Sequence, residues 1–328
     1  MQKPIRKLAA VMFLLACSVA GTSRADPSVA YQTTVIPTEG SSPIPVAIWY
    51  PTNAPTSERA VGPFMQSVAT NGPVVGKRLP LIVISHGNGG SKEGHSDTAL
   101  ALAKAGFVVA ALEHSGDNYR DQKRATDLAN RPRELGLLIS FMLNDSQQKS
   151  YIDAKRIGAF GFSSGAFTVL AAAGGTPDLS LIEPHCRQHP RHFACQLVAR
   201  DRPAPSAVGA MTVDRRIKAI VVAAPALGFV FEKGLGRVRL PVQLWRADAD
   251  TILPAPFYAD AVRNALPVKP DFRAVPNAGH FDFLAPCSAI LRQAAPIICQ
   301  SADGFDRSEF HARFNADVID FFRRKLRR

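Results

Sequence analysis

Short apolar segments alternate along the chain with segments of helical character, and this alternation limits the possible fold more than any other feature. Residues 79–85 and 107–112 are continuously apolar, and a helical segment over 97–105, closed by Gly106, separates them. An apolar run without polar alternation is typical of a strand buried on both faces, as in a parallel sheet. The two runs therefore predict a unit of strand, helix and strand.

The same alternation continues to the end of the chain. Two extended segments, 31–36 and 44–50, predict an initial hairpin, and a Pro/Gly-rich loop is expected to begin at residues 50–52. Further strands are predicted at 156–160, 217–223, 242–245 and 271–275, and further helices at 132–144, after Ser164, at 254–266 and from about 306. This order predicts one α/β domain over residues 26–328, with a doubly wound, mostly parallel sheet.

Residues 175–216 lie outside the alternation. The segment is too long for an ordinary connection and is rich in Pro, His, Arg and Cys. We expect an inserted cap over the functional site. The alternative is a surface excursion closed by a disulfide.

The first 25 residues have the pattern of a secretory signal peptide. Four basic residues and no acidic residue occur there, with an apolar run over 8–20 and small residues at Ser23 and Ala25. A buried first helix or a membrane anchor is disfavoured because the run is shorter than the ~20 residues that span a bilayer. We expect export to the periplasm or the cell exterior without a transmembrane segment. The alternative is a lipoprotein anchored at Cys17.

Export would place the remaining cysteines in an oxidising compartment, where an even number usually forms disulfides. These cysteines are Cys186, Cys195, Cys287 and Cys299. Three pairings are possible, and the one that joins neighbours is favoured because each pair brackets a compact loop. Three histidines near the first pair, His185, His189 and His192, suggest a metal site as the competing interpretation. Their spacing matches none of the common zinc signatures, so no metal is expected.

Residues 161–165 have the sequence Gly-Phe-Ser-Ser-Gly, between the predicted strand 156–160 and an apolar helical segment. Such a sharp turn needs small residues two positions before and after the central serine, because side chains would clash where strand and helix approach. The hydroxyl would then project above the carboxyl end of the sheet, at the positive end of a helix. Ser163 is the candidate nucleophile. A Gly/Ser-rich turn without catalytic function is the alternative.

A serine hydroxyl is a weak nucleophile and needs a base, which a carboxylate orients. Asp250 follows the strand 242–245, and His280 follows the strand 271–275. In a sheet of this kind the acid and the base follow the serine in that chain order. Asp248 is the rival acid, but Asp250 lies further past its strand. A structural histidine is the alternative for His280.

A tetrahedral intermediate requires donors for its oxyanion, usually two backbone amides in a dry site. We assign the amide of Ser164 and the amide of Asn88, which lies in the glycine-rich segment 86–90. A plain turn would use the same glycines. Candidate pocket side chains flank these segments: His86, His114, Asp117, Phe162 and Phe281. Local turn bonding and core packing are the alternatives for these side chains.

These residues resemble the α/β-hydrolase superfamily, and within it the bacterial dienelactone hydrolase-like and platelet-activating-factor acetylhydrolase-like esterases. The resemblance extends over nearly all of residues 30–325. Its motifs are residues 50–52, 85–87, 113–114, 161–165, 250–254 and 279–281. It implies a triad of Ser163, Asp250 and His280, no cofactor, and hydrolysis of small or lipid-like esters. Dienelactone hydrolases proper use a cysteine nucleophile, so dienelactone is not assigned as the substrate.

The net charge of +12 does not indicate a nucleic-acid partner. Four basic residues lie in the first 25, and five more crowd into residues 323–328. No basic stripe or nucleic-acid motif accompanies them. The C-terminal cluster is interpreted as a solvated helix end, with contact to an anionic membrane surface as the alternative.

The sequence thus predicts a secreted serine hydrolase that cleaves small-molecule carboxylic esters through an acyl-enzyme. A peptidase or amidase of the same fold is the first alternative. A non-catalytic binding protein on this scaffold is the second.

Overall fold

The computed structural model describes residues 28–40, 42–201 and 211–327, so the signal-peptide prediction lies outside the described residues. The strands are β1 (Ser28–Ile36), β2 (Ile44–Thr52), β3 (Ser57–Val61), β4 (Phe64–Thr70), β5 (Leu79–Ser85), β6 (Val108–Leu112), β7 (Ile152–Phe162), β8 (Ile217–Ala223), β9 (Val242–Ala247) and β10 (Asp271–Val275). The α-helices are α1 (Ser96–Lys104), α2 (Asn130–Asn144), α3 (Ser164–Ala172), α4 (Ile182–Gln188), α5 (Phe193–Asp201), α6 (Ala259–Ala265), α7 (Ala289–Ala294) and α8 (Arg307–Lys325).

The strands join in one sheet in the order β10-β9-β8-β7-β5-β6-β2-β1-β4-β3. The six strands from β10 to β6 in that order are mutually parallel. Strand β2 pairs antiparallel with both β6 and β1, which gives the predicted initial hairpin. The predicted mostly parallel sheet is therefore confirmed.

Helices cover both faces of the sheet. Apolar residues of α2, α3 and α6 pack with one face, and apolar residues of α1 and α8 pack with the other. Strands between two such layers are buried on both faces, which explains why β5 and β6 are continuously apolar. The winding on both faces leaves the carboxyl ends of the parallel strands as the edge where loops meet.

A hairpin of β3 and β4 occupies the segment where the sequence predicted only a loop. Four of the five β3 residues are exposed, so this strand carries no apolar signal. Strand β4 alternates between buried and exposed positions over its first half, but its exposed Met65 and buried Gln66 hide this period of two in the sequence.

The helix predicted at 254–266 is also shorter than expected, since α6 begins only at Ala259. Pro254 and Pro256 explain the difference. A proline disfavours helical backbone at the preceding residue and has no N–H to donate.

The long insertion contains α4 and α5. Cys186 is bonded to Cys195 there, and Cys287 is bonded to Cys299 beside α7, so the two short-loop pairs are formed. Within the described part of the chain, no helix combines the length and apolar character needed to cross a bilayer. At the basic end of α8, Arg323 donates to the carbonyl of Ala105, and Arg324 pairs with a carboxylate on the same helix.

Candidate active site

Ser163 lies at the turn between β7 and α3, in a backbone conformation that non-glycine residues rarely adopt. Its φ is +55° and its ψ is −118°. The neighbouring loop holds it there: its N–H donates to the carbonyl of Ala223, and its carbonyl accepts from Ala226, both at 3.0 Å. The residue is only 8% exposed. The hydroxyl is thus presented at the N-terminus of α3 by a rigid turn.

The glycines two residues before and after Ser163 leave no room for a side chain. A Cβ at Gly161 would lie 2.1 Å from the carbonyl oxygen of Gly165, and a Cβ at Gly165 would lie 1.9 Å from that of Ser85. Both distances are far inside van der Waals contact. The spacing of the two glycines therefore reflects the close approach of α3 to β5 and β7.

His280 begins a short 3₁₀ helix after β10 and contacts both Ser163 and Asp250. Its Nε2 lies 3.0 Å from Ser163 Oγ, and its Nδ1 lies 2.8 Å from Asp250 Oδ2. Because a carboxylate can only accept, Nδ1 carries the ring proton, and Nε2 presents its lone pair to the hydroxyl. The structure brings the three candidate residues into one chain of contacts.

The turn after β9 orients Asp250. Its Oδ1 accepts from the backbone N–H groups two and three residues later, at 2.9 and 2.7 Å, which leaves Oδ2 for His280. The rival acid, Asp248, pairs instead with Arg246 at 2.8 Å. Of these two carboxylates, Asp250 therefore contacts the histidine.

Asp282 holds the turn that carries His280. It is fully buried, and its Oδ2 accepts from the N–H of Gly279 at 2.7 Å. Its Oδ1 accepts from Arg307 Nε at 3.0 Å. Arg307 also donates to the carbonyl of Ile298 at 2.8 Å, inside the loop that the second disulfide closes. The histidine turn is thus tied to the start of α8 and to that loop.

The segment 86–90, which contains Asn88, lies directly against Ser163. A Cβ at Gly87 would lie 3.2 Å from the Cβ of Ser163. Among the described residues, neither the N–H of Asn88 nor that of Ser164 has a backbone hydrogen-bond partner. Two amides free to donate beside a serine hydroxyl are the groups that an oxyanion requires.

Three of the candidate pocket residues lie behind this segment instead of facing solvent. His86, His114 and Asp117 are 2%, 0% and 2% exposed. His86 donates from Nδ1 to the carbonyl of Gly87 at 2.6 Å and accepts at Nε2 from the N–H of His114 at 3.0 Å. These side chains support the segment 86–90 from within the fold.

His114 belongs to a fully buried chain of contacts. Its Nδ1 donates to Glu134 Oε2 at 2.7 Å, and its Nε2 accepts from Ser85 Oγ at 2.8 Å. Burial, together with the positive charge of Arg131, lowers the pKa of His114 well below its ordinary value. The ring is therefore neutral at pH 7, and Ser85 and His114 are both buried.

The two candidate phenylalanines pack beside the histidine. The ring centroid of Phe162 lies 4.8 Å from that of His280, and the ring of Phe281 lies 5.4 Å from it at a steep angle. Phe162 is 2% exposed, whereas Phe281 is partly exposed. Phe162 therefore packs under the histidine, and Phe281 lies at the edge of the site.

The insertion contacts the acid side of the site. Tyr258 Oη lies 3.1 Å from His192 Nδ1, and the ring of His185 stacks on Phe229 with centroids 3.8 Å apart. Burial, with the nearby negative charge of Asp250, raises the pKa of Tyr258. In the described residues, no group of three or more His, Cys, Asp or Glu side chains is arranged to hold a metal ion.

Comparison with known proteins adds two findings. The family model for platelet-activating factor acetylhydrolase, isoform II, matches residues 54–127. Among solved structures, ferulic acid esterase from Streptomyces cinnamoneus is similar with a TM-score of 0.61 and 19% identity, covering 94% of this chain and 92% of that chain. The chain has the α/β-hydrolase fold. The predicted resemblance to platelet-activating-factor acetylhydrolase-like proteins is confirmed by the family match.

The α/β-hydrolase fold explains why residues so far apart in sequence meet. Ser163, Asp250 and His280 follow β7, β9 and β10. These strands are parallel and lie within four neighbouring positions of the sheet, so their carboxyl ends share one edge.

Sequence reasoning missed three polar residues behind the segment 86–90: Arg131, Glu134 and Thr168. Charged helix residues are normally expected at the surface, so the composition of α2 gave no reason to bury Arg131 and Glu134. A signal exists in their spacing. Arg131 and Glu134 continue the same helix face as Leu135 and Leu138, which are buried.

Proposed function

We propose that the protein is a serine-dependent hydrolase of carboxylic esters. The observation that carries the proposal is the unbroken contact from Ser163 Oγ through His280 to Asp250. Two free backbone amides beside the same hydroxyl support it. A binding protein on this scaffold would have no need for this alignment of nucleophile, base and acid.

In the first half of the reaction, Ser163 Oγ attacks the acyl carbon of the ester while His280 Nε2 takes the hydroxyl proton. Asp250 stays ionised and stabilises the imidazolium that forms. The carbonyl electron pair moves onto oxygen, where the N–H groups of Asn88 and Ser164 donate to it. When that pair returns, the C–O bond breaks, and His280 gives its proton to the leaving alcohol.

The second half repeats the same proton transfers with water. His280 Nε2 takes a proton from a water molecule, and the resulting hydroxide attacks the acyl carbon bound to Ser163. The tetrahedral intermediate collapses with the proton returned to Ser163 Oγ, which releases the carboxylic acid. Every proton that His280 accepts is given back within one cycle.

Ester hydrolysis is favoured over peptide or amide hydrolysis by the comparisons. Both the matched family and the similar structure bear the names of proteins that act on esters. The chemistry of the site itself would serve either bond, because both pass through a tetrahedral oxyanion.

The test is a panel of p-nitrophenyl esters of short and long acyl chains beside aminoacyl anilides. We expect turnover of esters by the wild type, and a loss of roughly 10⁴-fold or more in Ser163→Ala. Ser67→Ala is the matched control, because that serine is exposed on β4, away from the edge of the sheet that carries Ser163. Unchanged ester turnover in Ser163→Ala would remove the mechanism. Activity on anilides alone would favour a peptidase.

We also propose that the protein is exported and that residues 175–216 act as a cap. The two disulfides support an oxidising compartment. The contact between His192 and Tyr258 supports a cap beside Asp250. Intact mass of the secreted protein tests export: a chain starting at Asp26 is expected, and a lipid-modified chain starting at Cys17 would identify a lipoprotein instead.

A further inference from the structure

The guanidinium of Arg131, on α2, is buried and makes three different contacts. Nε donates to Thr168 Oγ1 at 3.0 Å, Nη1 donates to Asp117 Oδ2 at 2.5 Å, and Nη2 donates to the carbonyl oxygen of His86. The residue is 2% exposed. A buried charge is tolerated only when its donors are paired, so these contacts fix the position of the group.

The first contact leads to Ser164. The hydroxyl of Thr168 accepts from Arg131 and donates to the carbonyl oxygen of Ser164 at 2.8 Å. Ser164 is the first residue of α3, and its N–H points out of the helix end. The first turn of α3 is thus joined to Arg131 through one hydroxyl.

The other two contacts lead to the segment that contains Asn88. Asp117 Oδ1 accepts from Asn88 Nδ2 at 2.7 Å and from the N–H of Gly89 at 2.9 Å, while its Oδ2 accepts from Arg131. Arg131 also holds the carbonyl of His86 directly. The backbone is therefore fixed on both sides of Asn88.

We propose that Arg131 is a positioning residue, which sets the distance between the two backbone amides, of Asn88 and Ser164, that receive the oxyanion. This inference rests on the proposed function and extends it, because it explains how two donors from separate segments are held in one geometry. A displacement of about 1 Å in such a site can cost ~10²-fold in rate. An effect on the transition state without an effect on substrate binding is the signature of this role.

The experiment compares Arg131→Lys with the wild type. Lysine keeps the positive charge beside Asp117, but its three donors lie on a single nitrogen and cannot reach the three separate acceptors that Nε, Nη1 and Nη2 of the guanidinium contact. The amides therefore remain present and lose their fixed separation. We expect kcat to fall by about 10- to 100-fold, with KM within about two-fold of the wild type. A trifluoromethyl ketone, which forms an oxyanion on Ser163, should lose affinity by the same factor as kcat/KM falls.

Arg216→Lys is the matched control. Arg216 also pairs with an aspartate, Asp214, and donates to Gly136 and Ser140 on α2, but it contacts neither amide segment. Its substitution disturbs an ion pair that lies before β8 and contacts the same helix, and kcat and the inhibitor affinity are expected to stay at the wild-type values.

Thr168→Val is the second test, since it removes the hydroxyl that joins Arg131 to Ser164 with little change of volume. A fall in kcat of roughly 3- to 10-fold is expected, smaller than for Arg131→Lys because only the contact with Ser164 is lost and the contacts on the Asn88 side remain. If Arg131→Lys does not fold, Thr168→Val decides the question.

The inference is overturned if a folded Arg131→Lys, or Thr168→Val in its place, keeps the wild-type kcat and inhibitor affinity. A change in KM alone overturns it as well. Failure of the proposed function looks different: the wild type would not hydrolyse esters, or Ser163→Ala would keep the activity, and the inference would fall with it.

Discussion

Asp248 and Asp250 lie two residues apart in one turn, yet they have different environments. The carboxylate of Asp250 accepts two backbone N–H groups and faces His280, whereas the carboxylate of Asp248 pairs with an arginine and is one-third exposed. The difference comes from the direction of the turn. The direction of the turn cannot be predicted from composition, so the sequence alone left Asp248 as an alternative to Asp250 for the acid.

Substitution of each aspartate by asparagine should distinguish the roles of the two carboxylates. Asp250→Asn should lower kcat by roughly 10³- to 10⁴-fold, because an amide in place of the carboxylate no longer selects the proton on His280 Nδ1. Asp248→Asn should leave kcat within about two-fold of the wild type, since among the described residues its carboxylate pairs with Arg246 alone. Steady-state hydrolysis of a p-nitrophenyl ester measures both, and equal losses would contradict the assignment.

His95 is a buried histidine whose burial lowers the stability of the folded protein at acid pH. In the part of the chain that the structure describes, neither ring nitrogen makes a hydrogen bond of ordinary geometry, although the backbone of Phe283 lies close to the ring. The ring packs edge-on against Phe160 and Phe162. Burial lowers its pKa from 6.5 to about 4. Between those two values the unfolded chain binds a proton that the folded chain does not, so stability decreases as pH falls from 6.5 towards 4.

His95→Leu should remove that part of the acid sensitivity. It should also raise the free energy of unfolding at pH 7 by about 1 kcal/mol, because an unpaired buried polar group is replaced by an apolar one. His311→Leu is the contrasting variant: both ring nitrogens of His311 are paired, with Asp97 and with the carbonyl of Asp282, so it should destabilise the protein. Urea unfolding at pH 7 and pH 5 measures both; an unchanged pH dependence in His95→Leu would contradict the assignment.

The residues of the candidate site were largely predictable, and their supports were not. Ser163, Asp250 and His280 follow predicted strands in a fixed chain order, so local patterns suffice to find them. The role of Arg131 depends on contacts with Asp117 and Thr168, which lie on other elements. No local pattern reports a contact of that kind.

At the scale of the element, the turn between β7 and α3 depends on how closely three segments approach. Gly165→Ala should destabilise the protein by about 3 kcal/mol or more, because its Cβ would lie 1.9 Å from the carbonyl oxygen of Ser85 and backbone would have to move. Gly236→Ala is the matched control, since a Cβ there would meet no atom within 4 Å. Urea denaturation compares the two, and equal stabilities would contradict the close approach.

The predicted elements were correct where burial was complete on both faces and incomplete where it was not. Strands β5 and β6, buried almost throughout, were predicted to within a residue or two from their apolar runs. Strand β3 lies at the edge of the sheet with four exposed residues, and its pairing with β4 determines its conformation. Apolar periodicity in a sequence arises from burial, so an exposed edge strand does not show it.

At the scale of the whole molecule, the second disulfide is connected to the site. Arg307 donates into the loop between Cys287 and Cys299 and also to Asp282, which holds the turn of His280. The first disulfide lies in the insertion and has no corresponding connection among these contacts. The two bonds therefore differ in what they support.

Removal of each disulfide should therefore have a different effect on kcat. Replacing Cys287 and Cys299 together by serine should lower both the free energy of unfolding, by about 2–4 kcal/mol, and kcat, because the anchor of the histidine turn is released. Replacing Cys186 and Cys195 should lower stability with a smaller effect on kcat. Thermal unfolding and ester turnover of the two double variants test this, and a larger loss of kcat in the second would contradict it.

The chain order of these parts has a consequence for biosynthesis. Ser163 is made 117 residues before His280, and Arg307, which holds the histidine turn, is made later still. Until His280 and Arg307 have been synthesised, the hydroxyl of Ser163 has no base beside it. Under the proposed mechanism, a chain still on the ribosome therefore lacks the base that activates Ser163. The loop between Cys287 and Cys299, which Arg307 joins to the histidine turn, is closed by a disulfide that forms only where thiols are oxidised.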